Sequence, residues 1–155
     1  MKSQPPNDEE PWIPIGTLGE FEMRGLSLPN NLVYRGAGSP SDVITMPVST
    51  AVRIVLNLLE YWGIPTNDWE SVLGVTPERI EDYKKGRFPT EAAELQRLED
   101  LLAIHKSLTI MIPDESLGQR WCSTPNGYFD GQCPIDVIMA EGIRAVRQYL
   151  EGVFG

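Results

Sequence analysis

His105 is the single histidine of the chain, Cys122 and Cys133 are its two thiols, and Glu91, Glu94, Glu99 and Asp100 form a carboxylate-rich stretch. These are the side chain types that abstract protons, attack carbonyls or hold metals. Their spacing argues against each role. Ten residues separate the two cysteines, with no second pair and no nearby histidine, so neither a zinc-site spacing nor a thiol–imidazole pair is present. His105 falls on the helical face of Leu95, Leu98 and Leu102, where a lone imidazole is ordinarily a core or boundary residue. The four carboxylates fall on the polar face of the same stretch, the place for solvated charge, and nothing pairs them for acid–base work. The chain contains no G-x-G-x-x-G, Walker loop, G-x-S-x-G or H-E-x-x-H. The expectation is a protein that is not an enzyme and takes no cofactor and no metal.

The elements behind these residues are mostly helices. Residues 1–48 hold seven prolines and five glycines, which forbids a long helix there. The same stretch carries Trp12, Ile13, Phe21, Leu32 and Tyr34, more apolar weight than a solvated tail needs. It is expected to form short strands and turns that pack on the body or on a partner. From Ser49 the period becomes helical: Ser49 is placed to cap a first helix whose Val52, Val55, Leu56 and Leu59 share one face, ended by Gly63 and Pro65. Asn67 and Glu70 have the spacing of a capping box for a short helix to Leu73. Gly74 turns the chain, and Thr76-Pro77 opens a helix to about Lys85. Thr90 is placed to open the longest helix, closed by Pro113. A short turn near Leu117 and Trp121, a helix from Pro134, and a last helix with Ile143, Val146, Leu150 and Phe154 on one stripe complete the chain. The fold class is all-α: a compact helical domain of about seven helices behind a Pro/Gly-rich extension.

A net charge of −9 disfavours a chain built for nucleic acid, which needs clustered Lys and Arg, and suits a basic partner surface. Two cysteines, no export leader and no apolar run near membrane-helix length point to a protein of the cytoplasm with no membrane partner. Two stretches still ask for a role. "SVLGVTPERIEDYKKGR" has the length, turn glycine and cap of a helix-turn-helix, with Arg79, Lys84 and Lys85 as candidate DNA contacts. Glu78, Glu81 and Asp82 share that second helix, so operator binding, a structural relic of such a fold and a dimer contact all remain open. "RWCSTPNGYFDGQCPIDVI" sets Trp121, Pro125, Asn126, Phe129, Gly131 and Pro134 in one short loop. Pro125-Asn126-Gly127 is a turn in which Asn and Gly tolerate positive φ, Gly131 permits another tight bend, Pro134 presets a helix start, and Trp121 and Phe129 pin the loop to the core. It is scaffold without chemistry, which holds the last helices in place.

At these residues the chain resembles the toxin-binding domain of the Xre/MbcA/ParS antitoxins. The family pattern is a Trp, then Pro-Asn, an aromatic or Leu, Gly-x-x-Pro and a closing helix with a terminal Gly. Here it reads Trp121, Pro125-Asn126, Phe129, Gly131-Gln132-Cys133-Pro134 and "GIRAVRQYLEGVFG". "RLEDLLAIHKSLTIMIPDE", opened by Arg97 and Leu98, is similar to the family's long helix, and "YWGIPTNDWESVLGVTPERIEDYKKG" is similar to its helix-turn-helix half. The likeness runs over about residues 50–155 and divides the chain into an irregular extension (1–48), a helix-turn-helix-like region (49–88) and a toxin-binding domain (89–155).

The resemblance implies a type II antitoxin that sterically blocks a RES-domain toxin, an enzyme similar in fold to ADP-ribosyltransferases that consumes NAD or transfers ADP-ribose from it. In the family the antitoxin's C-terminal end approaches the toxin's NAD pocket, a role that falls here on Arg147, Gln148, Glu151, Phe154 and Gly155. A pyrophosphate pocket carries cationic groups, which Glu151 and the terminal carboxylate would meet while Phe154 fills apolar space. A homodimer inside a larger complex with the toxin is also expected. The rival classes are a helix-turn-helix regulator of transcription with no toxin partner and a purely structural adaptor.

Overall fold

The computed structural model describes residues 11–17, 43–87, 89 and 91–154, with Val153 and Phe154 described by backbone alone. The chain enters as β1 (Trp12–Thr17), which pairs antiparallel with β2 (Val43–Pro47) in a two-stranded sheet. Ile13 faces Met46 across the ladder and Gly16 faces Ile44, with a register shift between Pro14 and Gly16. An isolated two-stranded ribbon is marginal in water, and here the body supports it. Ile13 and Met46 belong to the main core, and Lys106 Nζ donates to the Ile15 carbonyl at 3.0 Å. Phe21, Leu32 and Tyr34, named above for their apolar weight, lie outside the described residues.

Seven α-helices follow among the described residues: α1 (Val48–Tyr61), α2 (Trp69–Leu73), α3 (Pro77–Lys84), α4 (Ala92–Met111), α5 (Glu115–Arg120), α6 (Pro134–Glu141) and α7 (Ile143–Phe154). The sequence expectation of an all-α body therefore holds, with a small sheet at its edge. The longest helix, α4, is central: it packs on α1 and on α7, and its Leu98, Leu101, Ile104 and Leu108 are buried. Helix α7 closes the far side against α4 and α6 through Ile143, Val146 and Leu150, each 3% exposed or less. Each fully buried aliphatic side chain is worth about 1.5–3 kcal/mol of hydrophobic stabilisation, so this shared stripe is what holds the last helix down.

Several local signals act differently from the way they read in sequence. Helix α1 begins at Val48, with Pro47 in the cap position and no side-chain cap, so Ser49 lies inside the first turn. The adjoining strand explains the shift: β2 runs directly into α1 at Pro47, and Val48 N–H donates to the Pro11 carbonyl at 3.0 Å, so the sheet satisfies the first N–H of the helix. The Asn67–Glu70 box does not form, because Thr66–Asp68 makes a 3-10 turn and α2 starts at Trp69 without a side-chain cap. Tertiary burial fixes this segment instead, with Trp69 buried and its indole N–H donating to the Ile64 carbonyl at 2.9 Å. Thr76 caps α3 as its sequence indicates, accepting from the Arg79 N–H, whereas Thr90 lies outside the described residues.

Gly74 ends α2 at φ +70°, and a Cβ there would come within 2.5 Å of the Arg97 guanidinium carbon. The left-handed backbone calls for glycine, whereas the guanidinium is the far end of a flexible side chain that can swing aside.

Candidate functional site

The loop from Trp121 to Pro134 is built around Asn126. Its side-chain oxygen accepts from Tyr128 N–H at 2.8 Å, its carbonyl accepts from Phe129 and Gly131, and its own N–H donates to the Gln132 carbonyl. Asn126 is extended at φ −126°, not left-handed; the positive φ values fall later, at Asp130 (+57°) and Gly131 (+86°). The turn at Asn126–Gly127 is made without positive φ, because Asn126 works as the cap of a 3-10 turn over Gly127–Phe129, and the tight bend expected at Gly131 is present. Pro134 occupies the first turn of α6 and is buried. Trp121 and Phe129 pack half-buried against the core, as expected of the two ends of the loop.

The loop delivers two aromatic rings to the flank of α7. Tyr128 and Tyr149 lie 4.2 Å apart between ring centroids, and Phe129 meets Tyr128 and Tyr149 edge-on at 5.1 and 5.3 Å. Tyr128 is 66% exposed.

Helix α7 is tied to α4 by charge as well as by its apolar stripe. Arg147 Nη1 donates to Asp100 Oδ1 at 2.6 Å and Arg147 Nε to Glu151 Oε2 at 2.8 Å. Arg144 lies 3.6 Å from the same Asp100 oxygen, and Gln96 donates to it at 3.1 Å. Burial works to lower the Arg147 pKa, but the hydrogen bonds to Asp100 and Glu151 outweigh it and hold the guanidinium charged. Asp100 is 1% exposed, so its expected place on a solvated face is wrong: α4 is covered on two sides, and its "polar" side is where α7 docks. Among the toxin-contact candidates, Arg147 is thereby engaged within the fold, Gln148 and Glu151 are exposed, and the Phe154 side chain and Gly155 lie outside the described residues. Leu150 is the last buried residue among those of the helix whose side chains are described; Glu151 and Gly152 beyond it face solvent.

The α3 cations are spoken for in a similar way. Arg79 Nε donates to Glu94 at 3.1 Å and its Nη1 lies 3.6 Å from Asp82, while Glu94 also accepts a hydrogen bond from the Tyr83 hydroxyl. Burial, with the Glu94 carboxylate beside it, pushes the Tyr83 phenol well above its ordinary range. Lys84 lies 3.4 Å from Glu81 and 5.8 Å from the centre of the Trp69 ring. Lys85 is exposed. Glu94, read from sequence as solvated, is thus half-buried in an α3–α4 network.

His105 lines a cleft of about 480 Å³ between α1, α4 and α5, beside Leu58, Tyr61, Trp62, Leu108 and Ile112. Burial lowers its pKa. Cys122 is buried and its thiol is pushed up to about 12 by burial, whereas Cys133 is partly accessible. No group of three or more metal-ligating side chains occurs among the described residues. Among them, too, no helix is long and apolar enough to cross a membrane.

With this geometry in view, the comparison with known families falls on the elements just described. Residues 107–155, from the last turn of α4 to the end of α7, match the family described as "Antitoxin Xre/MbcA/ParS C-terminal toxin-binding domain". The match covers the C-terminal part of the likeness read over residues 50–155, including the Trp121–Pro134 loop, and it supports an antitoxin role with a toxin as partner. The chain is also 29% identical over 128 residues to "Uncharacterized protein y4oB" of Sinorhizobium fredii (strain NBRC 101917 / NGR234), an alignment covering 78% of this chain and 95% of that protein.

Proposed function

We propose that this protein is the antitoxin of a type II toxin–antitoxin pair, and that it binds a RES-domain toxin in the cytoplasm and blocks its NAD pocket with the end of α7. The match of residues 107–155 to a toxin-binding domain carries the proposal. Two features of the site support the mode of inhibition. The apolar stripe and the Asp100–Arg147 pair anchor α7 as far as Leu150, so its last turn is presented from a fixed base at little ordering cost. Beyond that point the exposed Glu151 brings negative charge to a pocket that must carry positive charge for a pyrophosphate. Arg147 then serves as an anchor of the helix, and the contacts with the toxin fall to Gln148, Glu151, Phe154 and Gly155. The described role of such a domain is binding, which agrees with the absence of catalytic motifs from the sequence. Two antitoxin copies would assemble with the toxin.

The test is a chain ended after Leu150, assayed against a RES-type toxin that the full-length chain inhibits. The shortened chain keeps Ile143, Val146 and Leu150, and its melting curve checks the fold; it should fail to stop NAD turnover at equimolar ratio, and full inhibition by it would refute the plug. Operator binding has weaker support, because Arg79 and Lys84 are both held by carboxylates and would have to give up those partners to reach phosphate.

A further inference from the structure

We propose that the toxin holds this chain at a second place, an aromatic platform of Tyr128, Phe129 and Tyr149 on the flank of α7, with Tyr128 as the anchor that enters a shallow apolar pocket on the toxin. The proposal rests on the antitoxin role given above and names a surface outside the helix end.

Four observations lead to it. Tyr128 is the most exposed of the large hydrophobic residues described, at 66%, and it is not a lone ring but the outer member of a three-ring cluster. Contiguous apolar surface of this kind marks contact sites more often than scattered single residues do. The loop that carries it is pre-ordered: four hydrogen bonds converge on Asn126, one of them fixing the Tyr128 backbone N–H, and Asp130 takes the left-handed conformation that closes the turn. A rigid loop that keeps a tyrosine in solvent has already met the ordering cost of using it in an interface. The position is the third observation. Tyr149 precedes the exposed Gly152 of the last turn by three residues, one turn back on the same face and about 4.5 Å along the helix axis. A toxin that closes over the last turn of α7 therefore arrives beside Tyr149 and the ring stacked on it. Finally, the whole platform lies within residues 107–155, the segment matched to a toxin-binding domain, so it is continuous with the proposed contact. The phenol also asks for a hydrogen-bond acceptor at the mouth of the toxin's pocket, since an interfacial tyrosine hydroxyl usually finds one.

The experiment is calorimetric titration of the full-length chain into the catalytically silenced cognate RES-type toxin, for the unaltered protein, Tyr128→Ala and Tyr128→Arg, with melting curves and light scattering on each free chain. The expected result is unchanged melting, because the side chain is exposed, with affinity weakened about tenfold or more by Ala, the scale of a tyrosine hot spot, and further by Arg. Wild-type affinity in both variants would overturn the platform while leaving the antitoxin role intact. No binding by the unaltered chain would overturn the antitoxin role and the platform with it. Loss of a homodimer in the variants with toxin affinity unchanged would assign the platform to a second copy of this chain and also overturn the proposal.

Discussion

Replacing Asp100 by Ala should loosen the last helix from the body by a calculable amount. The carboxylate side chain is 2% exposed and holds Arg147 at 2.6 Å, Arg144 at 3.6 Å and the Gln96 amide at 3.1 Å. Breaking one side of a fully buried ion pair costs about 3–5 kcal/mol, because the surviving charge is left without compensation. Here the cost is lower, since the Arg147 side chain is 21% exposed and keeps its bond to Glu151. A charge-assisted hydrogen bond is worth about 1.5–3 kcal/mol, which places the loss near 2–3 kcal/mol. For a chain of this length each kcal/mol moves the melting temperature by about 2–4 °C, so a fall of about 5–10 °C is expected in a calorimetric scan. The pairing itself is isolated by the double-mutant cycle with Arg147→Ala, which should return a coupling of about 1–2 kcal/mol, the double variant being more stable than the two single losses add up to. A shift under about 1 °C for Asp100→Ala, or a coupling indistinguishable from zero, would show that α7 is held by its apolar stripe alone and that the charge pair does not fix it.

Burial lowers the pKa of His105, so in the folded chain this imidazole binds its proton less readily than in the unfolded chain. Its contribution to stability is complete above the unfolded value of about 6.5 and is lost as pH falls from there towards the folded value; urea midpoints at pH 7.5 and pH 5.5 should differ more for the unaltered chain than for His105→Gln, and equal differences would contradict this. Gly74→Ala should cost about 1–2 kcal/mol from the left-handed backbone, with the Arg97 guanidinium swinging aside, and a wild-type melting temperature would count against it. Because the Cys122 thiol is buried and pushed up to about 12, alkylation of the native protein near neutral pH should stop at one adduct, on Cys133; rapid double labelling read by mass spectrometry would oppose it.

Much of the helical body is legible in the chain because its signals are local. Thr76-Pro77, Pro134 and the Ile143–Val146–Leu150 stripe each act within one or two turns, and each does in the fold what its spacing says. Where a non-local partner intervenes, the local signal is overridden. Ser49 loses its capping role to a strand that arrives from Pro11, and Asn67–Glu70 loses its box to the burial of Trp69. The site divides in the same way. The loop motif from Trp121 to Pro134 is visible as a combination of residue types, whereas the buried state of Asp100 depends on α7 lying across α4. Arg144 and Arg147, three residues apart on one face, are the sequence counterpart of that contact, but they identify Asp100 only once the two helices are known to pack. Tyr128 carries no sequence mark that separates it from Phe129; what distinguishes them is that the loop turns one ring in and leaves the other out.

The most direct test of the proposed antitoxin role is NAD consumption by a candidate RES-type toxin, titrated with the full-length chain at fixed salt. Turnover should fall in proportion to added protein and vanish near equimolar ratio, with the two proteins co-eluting as one complex. Undiminished NAD turnover in the presence of excess protein, with the two eluting separately, would contradict it.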